Sequence, residues 1–308
     1  MNLKNDQRKN HCLLVICLLC LFEARAQTDI DGLMMIKHNF CTGLMYQHSS
    51  WSNYWEGTLK RKNANLGHVS TDMVGVMANY GITSRLNALV GLPYVHKEAS
   101  GGQLHPMKGL QDLSLWLKWM PLQKQLGKGQ ISVFAIGGYS LPVNKYPADF
   151  QPMSLGMGSK NLSLRGMVDY QFGKWFATAS ATYVRRSNVT IDRQAYFTTE
   201  MHYTNEVYMP NATQYNLRAG FRNGHWIIEA VGDNWTTHGG FDITRNNMPF
   251  PSNRMNMTSI GLHLKYDTKW LKGLSILAGG DQTVTGRNVG QATGGYVGVF
   301  YAFHIGKN

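Results

Sequence analysis

The sequence predicts an all-β chain, a transmembrane antiparallel up-and-down β-barrel of about 12 strands, from three observations. Apolar and polar residues alternate along twelve segments of 10–16 residues, the period of a strand with two unlike faces. The connections between segments alternate short and long, and aromatic residues gather near the segment ends. Composition agrees. Charged residues make up 16% of the 308, well under the ~25% of soluble domains, while aromatics reach 11% and there are 33 Gly. After the first 26 residues no apolar run approaches the ~20 residues of a membrane-spanning helix.

Taken in order, the segments are Leu33–His48, His68–Ile82, Arg85–His96, Gly109–Met120, Gly129–Leu141 and Lys160–Phe172. They continue with Trp175–Arg186, Thr213–Arg222, His225–Trp235, Met255–Asp267, Leu271–Thr283 and Thr293–Ile305. Each is long enough for a tilted membrane strand, about 9–11 residues. Short connections are expected at Thr83-Ser84, 121–128, Gly173-Lys174, Asn223-Gly224 and 268–270. Long ones are expected at 49–67, 97–108, 142–159, 187–212, 236–254 and 284–292. In outer-membrane barrels the short turns face the periplasm and the long loops face outward. The long loops 187–212 and 236–254 are expected to constrict the outer mouth.

Within strands, parity separates the faces. Leu113, Leu115, Leu117 and Trp119 oppose Asp112, Ser114, Trp116 and Lys118; Leu162, Leu164 and Val168 oppose Ser163, Arg165 and Asp169. Tyr215, Leu217 and Ala219 oppose Gln214, Asn216 and Arg218, and Ile260, Leu262 and Leu264 oppose His263 and Lys265. The apolar set is expected to face lipid and the polar set the lumen. Tyr80, Tyr94, Trp119, Tyr170, Trp175, Trp226 and Tyr266 are expected in an interfacial girdle. A two-residue Asn223-Gly224 hairpin would set Arg218 opposite Glu229 and Gln214 opposite Asp233. A Gly173-Lys174 turn would pair Phe172 with Trp175 and Tyr170 with Ala177. The lumen-lining candidates for solute contact are therefore Asp112, Trp116, Lys118, Arg165, Asp169, Arg218, Glu229, Asp233, His263 and Lys265. Such mixed-sign rows can fill a narrow barrel or form the constriction that a permeating solute meets.

Residues 1–26 read as a signal peptide: Lys4, Arg8 and Lys9, then the apolar run from Cys12 to Phe22, then Ala24-Arg25-Ala26. Residues 27–308 form the barrel domain. The leader takes away Cys12, Cys17 and Cys20, leaving Cys41 alone and no intrachain disulfide. It also takes four basic and two acidic residues, so the net charge falls from +12 to +10. An excess of that kind suits loop solubility or attraction to anions and acidic lipid headgroups.

The stretch Gly109-Leu-Gln-Asp112-Leu-Ser-Leu-Trp-Leu-Lys118-Trp resembles the G-x-x-D-x-x-L-x-x-K-Y/W strand of the meta-pathway phenol-degradation transporter-like family. Leu141-Pro-Val-Asn144 is similar to that family's L-P-T-G element, with Asn144 in place of Gly. Leu155-Gly-Met-Gly-Ser-Lys-Asn161 is similar to its L-G-x-G-S-x-D element, with Asn161 in place of Asp. Tyr170-Gln-Phe-Gly-Lys-Trp175 continues the match, and Gln47–Gly57 looks like a segment of Bacteroidetes-type members. The resemblance covers about residues 85–190. It implies an outer-membrane barrel related to the long-chain fatty-acid and aromatic-hydrocarbon channels, carrying small, often aromatic or hydrophobic compounds. An N-terminal plug like that of the fatty-acid channels is not expected, because only about six residues of the mature chain precede the first segment.

Two other readings stay open. His48 and Ser50, two apart at the outer end of the first segment with Asn53 nearby, have the spacing of outer-membrane phospholipases, in which a histidine base activates a serine. A closed barrel that binds a partner through its loops is the third reading. The scattered histidines form no metal motif, Gly156-Met-Gly158-Ser lacks the strand-to-helix setting of a phosphate loop, and no basic-aromatic nucleic-acid module occurs. The expectation is a non-enzymatic channel for passive uptake, with no cofactor or metal. Its expected partners are outer-membrane lipids, the barrel-assembly machinery and a small solute, and a monomer is favoured.

Overall fold

The computed structural model describes residues 28–244 and 247–306; the expected leader lies outside them. Twelve long strands form the wall. They are β1 (Asn39–Trp51), β2 (Val69–Thr83), β3 (Leu86–Ala99), β4 (Asp112–Leu126), β5 (Gly129–Pro142) and β6 (Asn161–Phe172), then β7 (Trp175–Arg186), β8 (Ala212–Arg222), β9 (Trp226–Thr237), β10 (Asn256–Asp267), β11 (Leu274–Arg287) and β12 (Thr293–His304). Each runs antiparallel to its neighbours in sequence, and β12 returns to β1 from Asn39↔His304 to Ser50↔Thr293. The sheet is a closed ring, so its strands leave no edge of unpaired backbone groups, as hydrocarbon requires. Between β3 and β4 the wall is completed by Met107–Leu110, which pairs with Tyr94–Lys97.

Side-chain parity follows the sequence reading. Leu115, Leu117, Leu164, Leu217, Leu262 and Val299 are exposed on the outer face, while Lys118, Arg165, Asp169, Asn216 and Arg218 are buried inside. From exposed Trp175 to exposed Tyr183 strand β7 advances roughly 27 Å. At a tilt of about 40° this is roughly 21 Å along the membrane normal, close to the ~25 Å apolar band of such barrels. Tyr46, Tyr94, Tyr139, Tyr183 and Tyr215 ring the long-loop end of that band. Trp175, Phe172, Trp226 and Tyr266 mark the other end, with Trp226 and Tyr266 rings 4.3 Å apart.

The structure corrects several turns. Strand β4 runs on through Pro121 to Leu126, and the turn is Gly127-Lys128 rather than 121–128. A register shift between Trp119 and Leu122 absorbs the extra residue, which is how a strand accommodates a proline that cannot donate. The β2–β3 turn is Ser84-Arg85, one residue later than expected, and the β10–β11 connection is 268–273 rather than 268–270. Gly173-Lys174 pairs Phe172 with Trp175 as expected. Asn223-Gly224 does not form a two-residue hairpin. The Asn223 side-chain oxygen accepts from the N–H groups of His225 and Trp226, and its own N–H donates to the Trp226 carbonyl. The turn widens, Arg222 pairs with Ile227, and the register moves by two. A shift of two keeps every side chain on its face.

The largest correction concerns the start of the chain. Strand β1 begins at Asn39, not Leu33, and residues 28–38 form a tongue inside the barrel. Met35 packs with Cys41, Phe300 and Ala302, and Met34 against Met120, Phe134, Ile136 and Met167. The tongue enters across β2, where His38 N–H donates to the Gly81 carbonyl at 2.7 Å. Any Cβ on Gly81 would strike the Ile36 backbone. Part of the lumen is therefore an apolar core built from both wall and tongue.

The assignment of faces makes a direct prediction. Leu262 is 70% exposed at mid-strand on the outer face. Leu262→Arg should cost about 2–4 kcal/mol in unfolding measurements in lipid vesicles. A loss under about 0.5 kcal/mol, the usual range for a substitution on a wetted surface, would mean that this face meets water.

Candidate functional site

The lumen is the site, and the tongue occupies it. Lys118 is fully buried, and its ammonium donates to Thr28 O at 2.9 Å, Asp31 O at 2.6 Å and Asp31 Oδ1 at 2.9 Å. All three donors of the ammonium are used. Arg165 donates from Nη1 to Asp29 Oδ2 at 2.9 Å and from Nε to Thr182 Oγ1 at 2.7 Å. Asp31 is shaped for this role by its own turn, accepting from the N–H groups of Thr28 and Leu33. Gly32 lies so close to the Asp169 carboxylate that a Cβ would collide with it. Asp169 is itself fixed by Thr178 Oγ1 at 2.6 Å and by the Arg222 guanidinium, which also lies 3.9 Å from the Phe176 ring centre.

A second charged row crosses β8–β11. Arg218 Nη1 donates to Glu229 Oε1 at 2.5 Å although the two residues are not directly opposite. Gly220 stands opposite Glu229, so the ion pair is diagonal, across the register shifted by the wider turn. His263 lies 3.1 Å from Asp281 and 3.7 Å from Glu229, edge-on to the Tyr296 ring. Gln214 donates both to Asp233 Oδ1 at 2.9 Å and to Oδ2 at 2.7 Å. Lys265 pairs with Asp267 at 3.4 Å.

Between tongue and wall lies a cavity of about 290 Å³. Met45, Met77, Leu277 and Phe300 form an apolar side; Arg218, Glu229, His263 and Asp281 form a hydrogen-bonding side. Of the expected lumen residues, Arg218, Glu229, His263 and Lys265 border this cavity. Lys118 and Arg165 instead hold the tongue, Asp169 braces it, and Trp116 packs in the apolar cluster beside Met34. Asp112 sits at the outer end, accepting from Tyr146 Oη at 2.6 Å. Burial and that hydrogen bond push the Tyr146 phenol up from its ordinary pKa. Asp29, Asp31, Arg222, Asp281 and Tyr296 complete the site and were not among the sequence candidates.

The outer mouth is roofed by the long loops. Ala148, Val189, Ile191, Val207 and Met209 form one apolar cluster, with Phe250 packed against it. On the other side Asn288, in the left-handed region at φ 54, ties three loops together. Its side-chain oxygen accepts from the N–H of Gly57 at 2.8 Å and of Ile243 at 3.0 Å. Its nitrogen donates to Asp242 at 2.8 Å and to the Arg254 carbonyl at 2.7 Å. Arg287 holds the same Asp242 through two hydrogen bonds at 2.8 and 2.6 Å. That contact from Arg287 keeps the Asp242 carboxyl below its ordinary pKa.

On the outer wall, His48 Nδ1 lies 2.9 Å from Asp72 Oδ1, to which Tyr46 Oη donates at 2.6 Å. Asn53, the orienting group expected from sequence, lies instead in a loop hairpin opposite Lys62. Ser50 stands opposite Ser70, and among the described residues no serine hydroxyl is hydrogen-bonded to His48. The arrangement holds a base and an orienter without an engaged nucleophile.

Comparison with protein-family models gives no match, and comparison with curated proteins gives none. Among solved structures the chain is similar to the COG4313 outer membrane channel from Pseudomonas putida F1, with TM-score 0.70, 12% identity, and 91% of this chain and 100% of that chain covered. It is more distantly similar to the translocator domain of the autotransporter NalP from Neisseria meningitidis, with TM-score 0.48, 11% identity and 97% and 98% covered. A FadL homologue of Pseudomonas aeruginosa gives TM-score 0.39, 10% identity and 88% and 91% covered. At 12% identity the likeness to the COG4313 channel establishes the fold alone: a closed outer-membrane-type β-barrel.

The anchor of the tongue carries a pH dependence of known sign. Burial alone would raise the Asp31 carboxyl, but the Lys118 ammonium and the Thr28 N–H outweigh it and leave the pKa below the ordinary 3.8. The stabilisation is therefore fully present above pH 3.8 and is lost as pH falls through the lower, folded value. The tongue should stay docked from neutrality to about pH 4 and loosen in stronger acid. Hydrogen exchange of residues 33–37 across that range checks this, and in Lys118→Met the acid-induced step should vanish.

Proposed function

We propose that the chain is an outer-membrane channel for passive uptake of a small solute, occluded at rest by its own N-terminal tongue. The observation that carries this reading is the nature of the occlusion. The lumen is filled by an eleven-residue segment tied to the wall through two ion pairs, Asp31–Lys118 and Asp29–Arg165, instead of by wall side chains alone. With the expected leader removed near Ala26, the segment would be tethered at one end and could leave without breaking the barrel. The fold shared with an outer-membrane channel supports the same conclusion.

The cavity beside the tongue suits a compact amphipathic molecule. One side offers Met and Phe surface, the other hydrogen-bonding groups whose charges are already compensated in pairs, as in Arg218–Glu229 and His263–Asp281. Fully paired walls favour a neutral or weakly polar solute, since an ion would have to break a pair to gain a partner. The resemblance of Gly109–Trp119 to the phenol-pathway transporters points the same way, to small aromatic or hydrophobic compounds. Transport would follow the concentration gradient as a monomer, without a cofactor.

Planar-bilayer currents test the reading. Wild-type protein at neutral pH should conduct weakly and intermittently. Lys118→Met leaves Asp31 buried without its partner, a cost of about 3–5 kcal/mol, and combined with Arg165→Met should raise the open fraction at least tenfold. Equal currents from both proteins, or none from either after verified insertion, would refute the occluded-channel reading. The outer roof is the second barrier. Asn288→Ala removes four hydrogen bonds and strains a left-handed position, and should raise solute flux in liposome swelling further when placed on the double variant.

A further inference from the structure

The end of the barrel that carries the short turns is densely and uniformly basic. Arg85, Lys128 and Lys174 sit at the turns β2–β3, β4–β5 and β6–β7, and Lys124 projects outward from the extended foot of β4; all are exposed. The β10–β11 turn adds Lys269-Trp270-Leu271-Lys272, in which Trp270 is 72% exposed. No Asp or Glu occurs in the five short connections. The acid nearest this rim, Asp267, is held inward by Ser275 and Lys265. The opposite end differs in composition: its loops mix acids such as Glu56, Asp149, Asp192, Glu206 and Asp242 with the basic groups, and three of its arginines are ion-paired, Arg61–Glu56, Arg193–Asp149 and Arg287–Asp242.

We propose that this rim is a binding band for the anionic phosphate headgroups of phospholipids in the inner leaflet of the membrane. Three features select a lipid layer over a compact acidic protein. The cations are spread around the circumference, on turns far apart in the ring, which fits a partner that surrounds the barrel. They stand immediately beyond the lower girdle of Trp175, Phe172, Trp226 and Tyr266, at headgroup height. They are also interleaved with exposed apolar side chains: Leu122 and Leu126 flank Lys124, and Trp270 and Leu271 lie between two lysines. A basic group beside an exposed Trp or Leu is suited to a surface whose phosphates lie over acyl chains, whereas a soluble acidic partner would leave those apolar groups wet.

The test uses the full chain reconstituted with phosphatidylethanolamine containing phosphatidylglycerol, with retained lipids measured by native mass spectrometry. Wild type should retain phosphatidylglycerol preferentially, by about fivefold for each headgroup held by one cation, with the preference shrinking at high salt. The variant Arg85→Gln, Lys128→Gln, Lys174→Gln, Lys269→Gln should lose it. A control variant in the outer hairpin, Lys60→Gln with Lys62→Gln, should keep it. Soluble glycerol 3-phosphate at matched concentration should not displace the lipid. The proposal is overturned by no preference in wild type, which would leave the rim to a soluble acidic partner, by an unchanged preference in the rim variant, or by displacement with free glycerol phosphate.

Discussion

A sheet that crosses hydrocarbon can have no free edge, and the rest of this structure follows from meeting that constraint with twelve strands. Every N–H and C=O left unpaired in lipid costs several kcal/mol, so β12 must return to β1. Once the ring closes, side chains at alternate positions are committed to an interior that a ring of this size does not fill by itself. The chain fills it in two ways. Charged side chains from neighbouring strands pair across the wall, and an eleven-residue tongue brings Met34 and Met35 into the remaining space. In the proposed channel that second solution is the removable part. The tongue's hold depends on Lys118, a cation with no exposed surface whose three donors all end on residues 28–31.

Two closures in series result, and they differ in chemistry. The tongue is held by charge and apolar packing inside the membrane. The roof is held by loop–loop packing and by Asn288, a single amide that satisfies four partners from two other loops. Both closures rely on carboxylates, Asp31 and Asp242, held below their ordinary pKa by basic partners. Acid therefore weakens both together, while near neutrality each is intact. In the proposed channel, a solute that opens the path would compete with hydrogen bonds and packing, not with a change of protonation.

The wall was legible in the sequence because period-two alternation survives burial: Leu113, Leu115, Leu117 and Trp119 cannot share a face with Asp112 and Lys118. Local turn chemistry was harder to read. Asn-Gly usually predicts a two-residue hairpin, but Asn223 spends its side-chain oxygen on the N–H groups of His225 and Trp226 and widens the turn. Arg218 and Glu229 still meet, because a two-residue slip preserves faces and a long guanidinium spans the diagonal. The tongue was misread because Leu33-Met34-Met35-Ile36 has the apolar look of a strand start; in a barrel, an apolar segment can equally belong to the lumen. Asp29 and Asp31 were the available signal, as two acids facing an interior that holds Lys118 and Arg165. The Asn288 hub had no sequence signature, since its partners lie as far apart as residues 57 and 254.

The central claim is that solute passes through the cavity the tongue now borders. The direct measurement is single-channel current through Gln47→Cys, a cavity-lining position on β1, in a Cys41→Ser, Lys118→Met background, before and after a bulky methanethiosulfonate reagent. The account predicts that modification blocks the current there and leaves it unchanged in the lipid-facing control Leu44→Cys. Current that persists through modified Gln47→Cys would place the conduction path elsewhere and contradict the account.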